Sequence, residues 1–190
     1  SSGAFQTNFQ GGVHDIGIIK LSPGGSSRVY ATYIGGSGDD QPHSLIVDNS
    51  GNLVLAGRTN SPVSGAGSYP VTGGPAGVVG PCGSYDIVVT KLNATGTALI
   101  GSKRIGGTSD DGVNIQPRGG GAKSLQQNYG DDARSEVILD AAGNVLVASC
   151  TQSTGNVSAN NFPVRGAIFQ GIPGGNQDGV LIKLSPDLST

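Results

Sequence analysis

The segment DIGIIKLS at residues 15–22 decides the fold, because the chain contains it three times. It returns as DIVVTKLN at residues 86–93 and as DGVLIKLS at residues 178–185. In each copy an aspartate is followed by a mostly apolar run and then by Lys-Leu. Similarity within one chain at long spacing is the signature of a repeat architecture, in which each repeat is one supersecondary unit. The sequence therefore predicts a chain built from repeated units.

A second repeated element lies between these segments. IVDNSGNLVLAG at residues 46–57 returns as ILDAAGNVLVAS at residues 138–149. The starts of the three segments lie 71 and 92 residues apart, and a Gly-rich insertion around 109–129 in the second copy accounts for the difference of 21. The first copy carries a Gly/Pro-rich insertion around 62–84.

These elements divide the chain into three parts. The first repeat occupies residues 1–85, the second occupies residues 86–177, and residues 178–190 hold the first strand of a third, incomplete repeat.

Each full repeat contains four short apolar runs separated by turn residues, the pattern of a four-stranded antiparallel unit. No stretch keeps a helical period of 3.6 residues, and glycine interrupts every candidate helix. The sequence predicts an all-β protein. Its predicted strands lie near residues 15–21, 28–34, 44–48 and 52–58 in the first repeat, near 86–92, 98–105, 135–140 and 144–150 in the second, and at 178–184.

The runs at residues 53–56 and 145–148 are apolar on both faces, since neighbouring residues of a strand point to opposite sides. Such strands need cover on two sides, as in sheets stacked against one another. The Asp- and Gly-containing segments at 48–52 and 140–144 supply the hairpin turns. Radially stacked four-stranded sheets, or propeller blades, meet these requirements, and the chain supplies about two blades plus one extra strand.

The repeated blocks resemble the SBBP family of β-propeller repeats, which occurs in secreted and surface proteins of bacteria. The second repeat departs from the family pattern at residues 103–107 and 149–150. The resemblance implies a propeller fold, in a family whose members have about seven blades, and a place outside the cell. It rests on Asp-x-x-x-x-Lys-Leu, YATYIGGSGDD at 30–40, Val-Asp-x-x-Gly-Asn at 47–52, Ala-Gly-x-Thr at 56–59, Phe-Pro-Val at 162–164 and Gly-Ala-x-Phe-Gln at 166–170.

The composition argues against two classes of partner. Charged residues make up 13% of the 190 residues and the net charge is −2, so the chain has no cationic surface for nucleic acid or an anionic membrane. No apolar run approaches the roughly 20 residues that cross a bilayer. We expect neither nucleic-acid binding nor membrane insertion.

An extracellular or cell-surface location is expected. The low charge and the glycan acceptor triplets at Asn93 and Asn156 agree with it. The chain begins Ser-Ser-Gly and contains no methionine, which indicates a processed chain or a fragment. Cys82 and Cys150 are either one disulfide, worth roughly 4 kcal/mol in the chain-entropy model, or two buried thiols.

Paired carboxylates beside Gly-rich turns are candidate calcium ligands, because calcium prefers six to eight oxygens. The weak candidates are Asp39, Asp40, Asp131 and Asp132. These pairs, with Asp110-Asp111, lack the alternating carboxylates and final glutamate of a calcium loop. We predict instead that they cap turns and pair with the repeated lysines Lys20, Lys91 and Lys183.

No catalytic motif stands out. His14 and His43 lack metal-binding spacing, and the chain has neither Gly-x-Ser-x-Gly nor Gly-x-Gly-x-x-Gly. A Ser-His-Asp triad assembled across the sequence stays open. We predict a protein without catalysis of its own and without a cofactor.

Two functions remain. Two blades do not close a ring, and the strand at 178–184 leaves an edge that favours pairing with another chain. We expect a structural or adhesive protein that assembles with flanking blades or with copies of itself, as a filament or a surface layer. The alternative is a glycan-binding module of a larger secreted protein or enzyme, with Tyr69 and Tyr129 as the residues to mutate.

Overall fold

The computed structural model describes residues 3–113, 135–153, 161–166, 170–171 and 173–190. Ten strands and one 3-10 turn, Gly74–Gly77, make up the regular structure of this part of the chain. The strands are β1 (Ile16–Leu21), β2 (Arg28–Ile34), β3 (Asp40–Val47), β4 (Leu53–Thr59), β5 (Val78–Val79), β6 (Asp86–Leu92), β7 (Leu99–Ile105), β8 (Glu136–Leu139), β9 (Val145–Thr151) and β10 (Asp178–Leu184).

The strands form three sheets. The first sheet is the hairpin β1-β2, the second has the order β3-β4-β6-β7-β5, and the third has the order β8-β9-β10. All pairings are antiparallel except that of β5 with β7. The predicted all-β fold is confirmed, and each of the nine predicted strands is present near its expected bounds. β5 was missed because two residues carry no periodic signal.

The grouping of the strands into sheets differs from the prediction. The four strands of the first repeat do not form one sheet, because β1 and β2 pair only with each other while β4 pairs with β6 along its whole length, from Leu53↔Leu92 to Thr59↔Asp86. The complete four-stranded unit is β3-β4-β6-β7. We call its strands the first-, second-, third- and fourth-position strands, in that order, and we use the same terms for their sequence equivalents in the other sheets. Sequence repetition reveals the period of a repeat but not the strand at which a sheet begins.

In these terms the outer sheets are incomplete. β1 and β2 are the sequence equivalents of β6 and β7, so the first sheet holds only third- and fourth-position strands. β8, β9 and β10 are the equivalents of β3, β4 and β6, so the third sheet lacks a fourth-position strand among the described residues.

The extra strand predicted at residues 178–184 is present as β10 and is paired along one of its two edges. β10 pairs with β9 over seven residues, from Asp178↔Thr151 to Leu184↔Val145. The strand of the third copy adds to the sheet of the second copy, just as β6 of the second copy adds to β4 of the first.

The connection from β2 to β3 leads from one sheet to the next and depends on glycine. A Cβ on Gly36 would lie 2.2 Å from the carbonyl oxygen of Gly67, a contact that only glycine avoids. The Gly36 amide donates to Asp40 Oδ2 at 2.7 Å, which fixes the start of β3.

The second sheet lies between the other two and contributes to both cores. We call the face of a sheet that is turned toward the following sheet its front face and the opposite face its back face. Adjacent residues of a strand in this sheet point to opposite faces. In β6, Val88 lies on the back face and Val89 on the front face, and both are fully buried. The predicted two-sided burial of residues 53–56 is confirmed, since alternate members belong to different cores. The same prediction for residues 145–148 is wrong for one face, because Val145 and Val147 are buried while Ala148 is exposed.

The first core joins the front of the first sheet to the back of the second, and the second core joins the front of the second sheet to the back of the third. The first contains Ile16, Ile18, Tyr30, Ile34, Leu53, Leu55, Tyr69, Val88 and Leu92. The second contains Val54, Ala56, Ile87, Val89, Ile105, Val137, Val145, Val147, Leu184 and Leu188.

The insertion at 62–84 folds against the second sheet. Tyr69 is buried in the first core, and its hydroxyl lies 3.0 Å from Thr90 Oγ1. Thr72 exchanges backbone and side-chain hydrogen bonds with Ser102 in β7. Within the described ranges no helix is long and apolar enough to span a membrane.

Candidate interaction surfaces

The back face of the first sheet is apolar and exposed. Ile19 and Leu21 of β1 are 68% and 52% exposed, and Val29 of β2 is 55% exposed. Ile16 and Ile18, which alternate with them, are buried on the front face. β1 is therefore apolar on both sides but covered on only one.

The front face of the third sheet has the same character. Leu181 of β10 is 88% exposed and Ile138 of β8 is 58% exposed, while Ala148 of β9 is also exposed. On the back face of this sheet Val137 and Val147 are buried in the second core.

A third exposed apolar patch lies on the back of β3. Leu45 and Val47 are 60% and 55% exposed although they stand in the central sheet. The first sheet has no first- or second-position strand to cover them.

The equivalent residues inside the molecule are buried. Leu92 is the equivalent of Leu21 and is 1% exposed, and Val89 is the equivalent of Leu181 and is fully buried. Val137 is the equivalent of Leu45 and is 5% exposed. The exposed patches are the repeat's ordinary packing faces where no neighbouring sheet covers them in the described structure.

Two strand edges match these faces. β1 has no second-position neighbour and β10 has no fourth-position neighbour in the part of the chain that the structure describes. The backbone N–H and C=O groups along those edges can hydrogen-bond to a further strand.

The repeated lysines have different partners from those predicted. Lys91 Nζ lies 2.8 Å from Asp48 Oδ2 and Lys183 Nζ lies 3.2 Å from Asp140 Oδ2, so they bind the hairpin aspartates rather than the paired carboxylates. Lys20 has no such carboxylate among the described residues and donates to the Ala94 carbonyl at 3.2 Å. The hairpin aspartates precede second-position strands, and β1 has no strand of that kind beside it.

The paired aspartates do cap backbone, as predicted. Asp39 Oδ1 accepts from the amides of Val13 and His14 at 2.5 and 3.2 Å. The Asp40 carboxylate is fully buried and accepts from the hydroxyls of Thr59 and Ser61. Burial raises the pKa of Asp40.

Asp111 repeats the environment of Asp40 in the second repeat. It accepts from the hydroxyls of Thr151 and Ser153 and from the Gly107 amide, the last two at 3.0 and 2.7 Å. Burial raises its pKa to about 6. Asp131 and Asp132 lie outside the described residues, and within those residues no group of three potential metal ligands occurs.

Sequence reasoning missed the part played by Arg104. A Cβ on Gly106 would meet both Asp86 and Asp111, so these carboxylates flank one glycine, and the Arg104 guanidinium lies 2.6 Å from Asp86 Oδ2. Asp15 and Asp40 flank Gly35 in the same way. There the equivalent of Arg104 is Tyr33, and Asp15 Oδ1 is buried without a hydrogen-bond partner in the described structure. The departure at residues 103–107 was the available signal.

In the described structure no disulfide is present, and Cys82 and Cys150 are buried thiols. Burial raises the pKa of Cys82 to about 12 and that of Cys150 to about 11, which keeps both protonated at neutral pH.

The His43 side chain links the second sheet to the third. Its Nδ1 lies 3.1 Å from Ser135 Oγ, a contact that joins β3 to the residue before β8. Its Nε2 is buried without a partner among the described residues, so the carboxylate that a triad requires is not beside it there. Burial, aided by the charge of Arg58, lowers the pKa of His43 to about 4.

The remaining predicted residues are the two tyrosines proposed for glycan binding and the two asparagines of the glycan acceptor triplets. Tyr69 is 2% exposed, so its ring offers no face to a sugar. Asn93 is half-buried in the turn between β6 and β7, where its side chain bonds Thr97. Tyr129 and Asn156 lie outside the described residues.

A comparison of the sequence with protein families finds a match, which can be placed on the sheets. Residues 29–62 match the SBBP beta-propeller repeat. The match covers nearly all of β2 together with β3 and β4, so the SBBP repeat spans the crossing from the first sheet to the second. No curated protein matches the chain significantly. Residues 29–62 are thus similar to one β-propeller repeat, and the described sheets do not close into a ring.

Proposed function

We propose that this chain is a structural module of an extracellular assembly, in which sheets from outside the described structure continue its stack. The observation that carries the proposal is the exposure of apolar packing faces at both outer sheets. Exposed apolar patches of this kind mark sites of association. Adhesion is the role that such a layer or fibre would serve.

The two faces are of opposite kinds. Inside the molecule a front face always packs on a back face, and the molecule presents the back of the first sheet and the front of the third. Association is therefore head to tail, with further blades or further copies. A head-to-tail contact gives a ring if its rotation closes and a filament if it does not.

The extracellular location is supported by the low charge, 13% of residues, and by the resemblance of the repeated blocks to secreted bacterial proteins. A structural role without catalysis is supported by the use of Asp40, Asp111 and His43 in internal hydrogen bonds.

The test is the association state of the 190-residue chain by analytical ultracentrifugation. We expect the chain to associate with rising concentration. Ile19→Lys on the back face and Ile138→Lys on the front face should each shift it to monomer, because a charge would be buried at the contact. Ser26→Lys, on the exposed turn between β1 and β2, adds the same charge away from both faces and should leave association unchanged. A chain that stays monomeric up to its solubility limit would overturn the proposal.

A further inference from the structure

The outer sheets are complementary parts of one four-stranded sheet. The first sheet supplies third- and fourth-position strands, β1 and β2, and lacks the first two positions. The third sheet supplies the first two positions, β8 and β9, and its third position is filled by β10. β10 and β1 are copies of the same sequence element.

We propose, on the basis of the assembly function above, that two copies of this chain join by strand exchange. The hairpin β1-β2 of one copy pairs with β9 of a second copy in the place that β10 occupies there. The product is a complete four-stranded sheet shared by two molecules, β8-β9 from one and β1-β2 from the other.

The exchange preserves backbone hydrogen bonding. β1 aligns with β10 from Asp15 with Asp178 to Leu21 with Leu184, so β1 can adopt the ladder that β10 now forms with β9. Since the same backbone bonds are made before and after, the outcome is decided by the burial of side chains.

Side chains on the back of β1 fit the vacated positions. Ile19 takes the place of Ile182, and Leu21 takes the place of Leu184, which is 8% exposed against the second sheet. Both exposed residues of β1 are thereby buried, and β2 adds Val29 on the same face. β10 brings no such neighbouring strand.

The exchange also covers the exposed patch on β3. Inside the molecule the front of β3-β4 covers Val137 on the back of β8. In the shared sheet the front of β8-β9, with Ile138, covers Leu45 and Val47 of the copy that donates the hairpin. Stacking with β10 still in place leaves Leu45 and Val47 exposed, and so the exposed patches favour exchange.

Charge pairing follows the same register. Lys20 takes the place of Lys183 and so comes to Asp140, as Lys91 does to Asp48 within the molecule. The Lys183 side chain is 63% exposed in its pair while that of Lys91 is 7% exposed. The exchange gives Lys20 the carboxylate partner it lacks in the described structure.

A disulfide lock on β10 tests the exchange. Leu146 lies directly opposite Lys183 in the β9-β10 pair, and opposite strand residues lie within the Cα separation that a disulfide spans. Oxidised Leu146→Cys/Lys183→Cys should remain monomeric, and reduction should restore association to the level of the unsubstituted chain. The single variant Leu146→Cys controls for the substitution, and far-UV circular dichroism checks that the locked protein is folded.

A second pair reports the exchanged register. Lys20 lies opposite Leu146 only if β1 of one copy pairs with β9 of another, so oxidised Lys20→Cys/Leu146→Cys should run as covalently linked multimers on a denaturing gel. The buried Cys82 and Cys150 are common to all variants.

The outcomes separate this inference from the proposed function. Association of the locked protein at the unsubstituted level, or absence of a link between copies in Lys20→Cys/Leu146→Cys, overturns strand exchange and leaves assembly by stacking intact. A monomeric unsubstituted chain overturns both. Folding of the locked protein with loss of association that reduction reverses supports the exchange.

Discussion

Single buried polar residues fasten each crossing between sheets. Asp40 accepts hydrogen bonds from Thr59 and Ser61 at the end of β4 and from the Gly36 amide in the crossing loop. Asp111 repeats the arrangement in the next crossing. A buried carboxylate with several donors ties a loop to a strand end, and the polar group would be costly to bury without them.

Sequence reasoning reached part of this site. The recurrence of Asp pairs beside glycine indicated turn capping, and the backbone contacts of Asp39 and Asp40 agree with it. The Asp86–Arg104 pair was not predicted, because Arg104 stands where the first repeat has Tyr33 and its partner lies 18 residues earlier, at the start of the preceding strand. Contacts between positions distant in the chain leave no local pattern.

His43 should make stability depend on pH. Its pKa is about 4 in the folded chain and near 6.5 when unfolded, so the unfolded state takes up the proton first as pH falls. The free energy of unfolding should drop by roughly 2–3 kcal/mol between pH 6.5 and pH 4 through this group. In His43→Gln this contribution should be absent, as measured by urea unfolding across that range.

The unsubstituted chain must be compared with His43→Gln because Asp111 also makes the free energy of unfolding depend on pH. Its pKa of about 6 is raised by folding, so Asp111 adds stability as the pH falls, opposite to His43. Its contribution is common to both proteins and cancels in the difference. His14→Gln, at an exposed site, is the matched control and should follow the unsubstituted chain. Parallel pH profiles for His43→Gln and the unsubstituted chain would contradict the prediction.

Among the elements, the hairpins before second-position strands are built alike. Asp48 accepts from the amides of Ser50 and Asn52 at 2.9 Å, and Asp140 accepts from the amides of Ala142 and Asn144 at the same distance. They differ in their lysine partners, since Lys91 is buried and Lys183 is exposed.

Asp48→Ala should therefore destabilise the chain more than Asp140→Ala. The first substitution removes two turn hydrogen bonds and leaves the Lys91 ammonium buried without its carboxylate, a loss of about 2–4 kcal/mol. The second leaves a lysine that water already reaches. Chemical unfolding of both variants measures the difference, and equal losses would show that burial of Lys91 contributes nothing.

The strands themselves could be predicted from sequence, and their partners could not. The apolar run and the turn residues locate β4 to within one residue, because both signals are local. The start of β3 was placed four residues too late, since the segment from Asp40 to His43 carries no apolar signal. The pairing of β4 with β6 passes over the insertion at 62–84, and the short crossing at 35–39 looks like a hairpin loop in sequence. Only the three-dimensional contacts distinguish a crossing from a hairpin.

Over the whole molecule, the second sheet contributes to both cores, and we therefore expect the two cores to unfold as one cooperative unit. Val88 and Val89 are neighbours in β6, yet one belongs to the first core and the other to the second. The sheet between them is packed on both faces, apart from the exposed side chains of Leu45 and Val47 in β3 and of Ile100 in β7.

Val88→Ala and Val89→Ala should thus each lower the free energy of unfolding by about 2 kcal/mol while keeping a single transition. The loss comes from the cavity that each substitution leaves in a fully buried position. Far-UV circular dichroism and tyrosine fluorescence should report coincident urea midpoints. Separate midpoints in Val88→Ala would mean that the first sheet unfolds on its own.

The displacement of the sheets from the sequence repeat by two strands affects how such a protein can lengthen. A genetic duplication of residues 15–85 adds strands in the order third, fourth, first, second. Its first half finishes a sheet begun upstream, and its second half begins one that the downstream copy finishes. Each added copy therefore lengthens the stack by one complete four-stranded sheet. The number of unpaired strand edges stays the same.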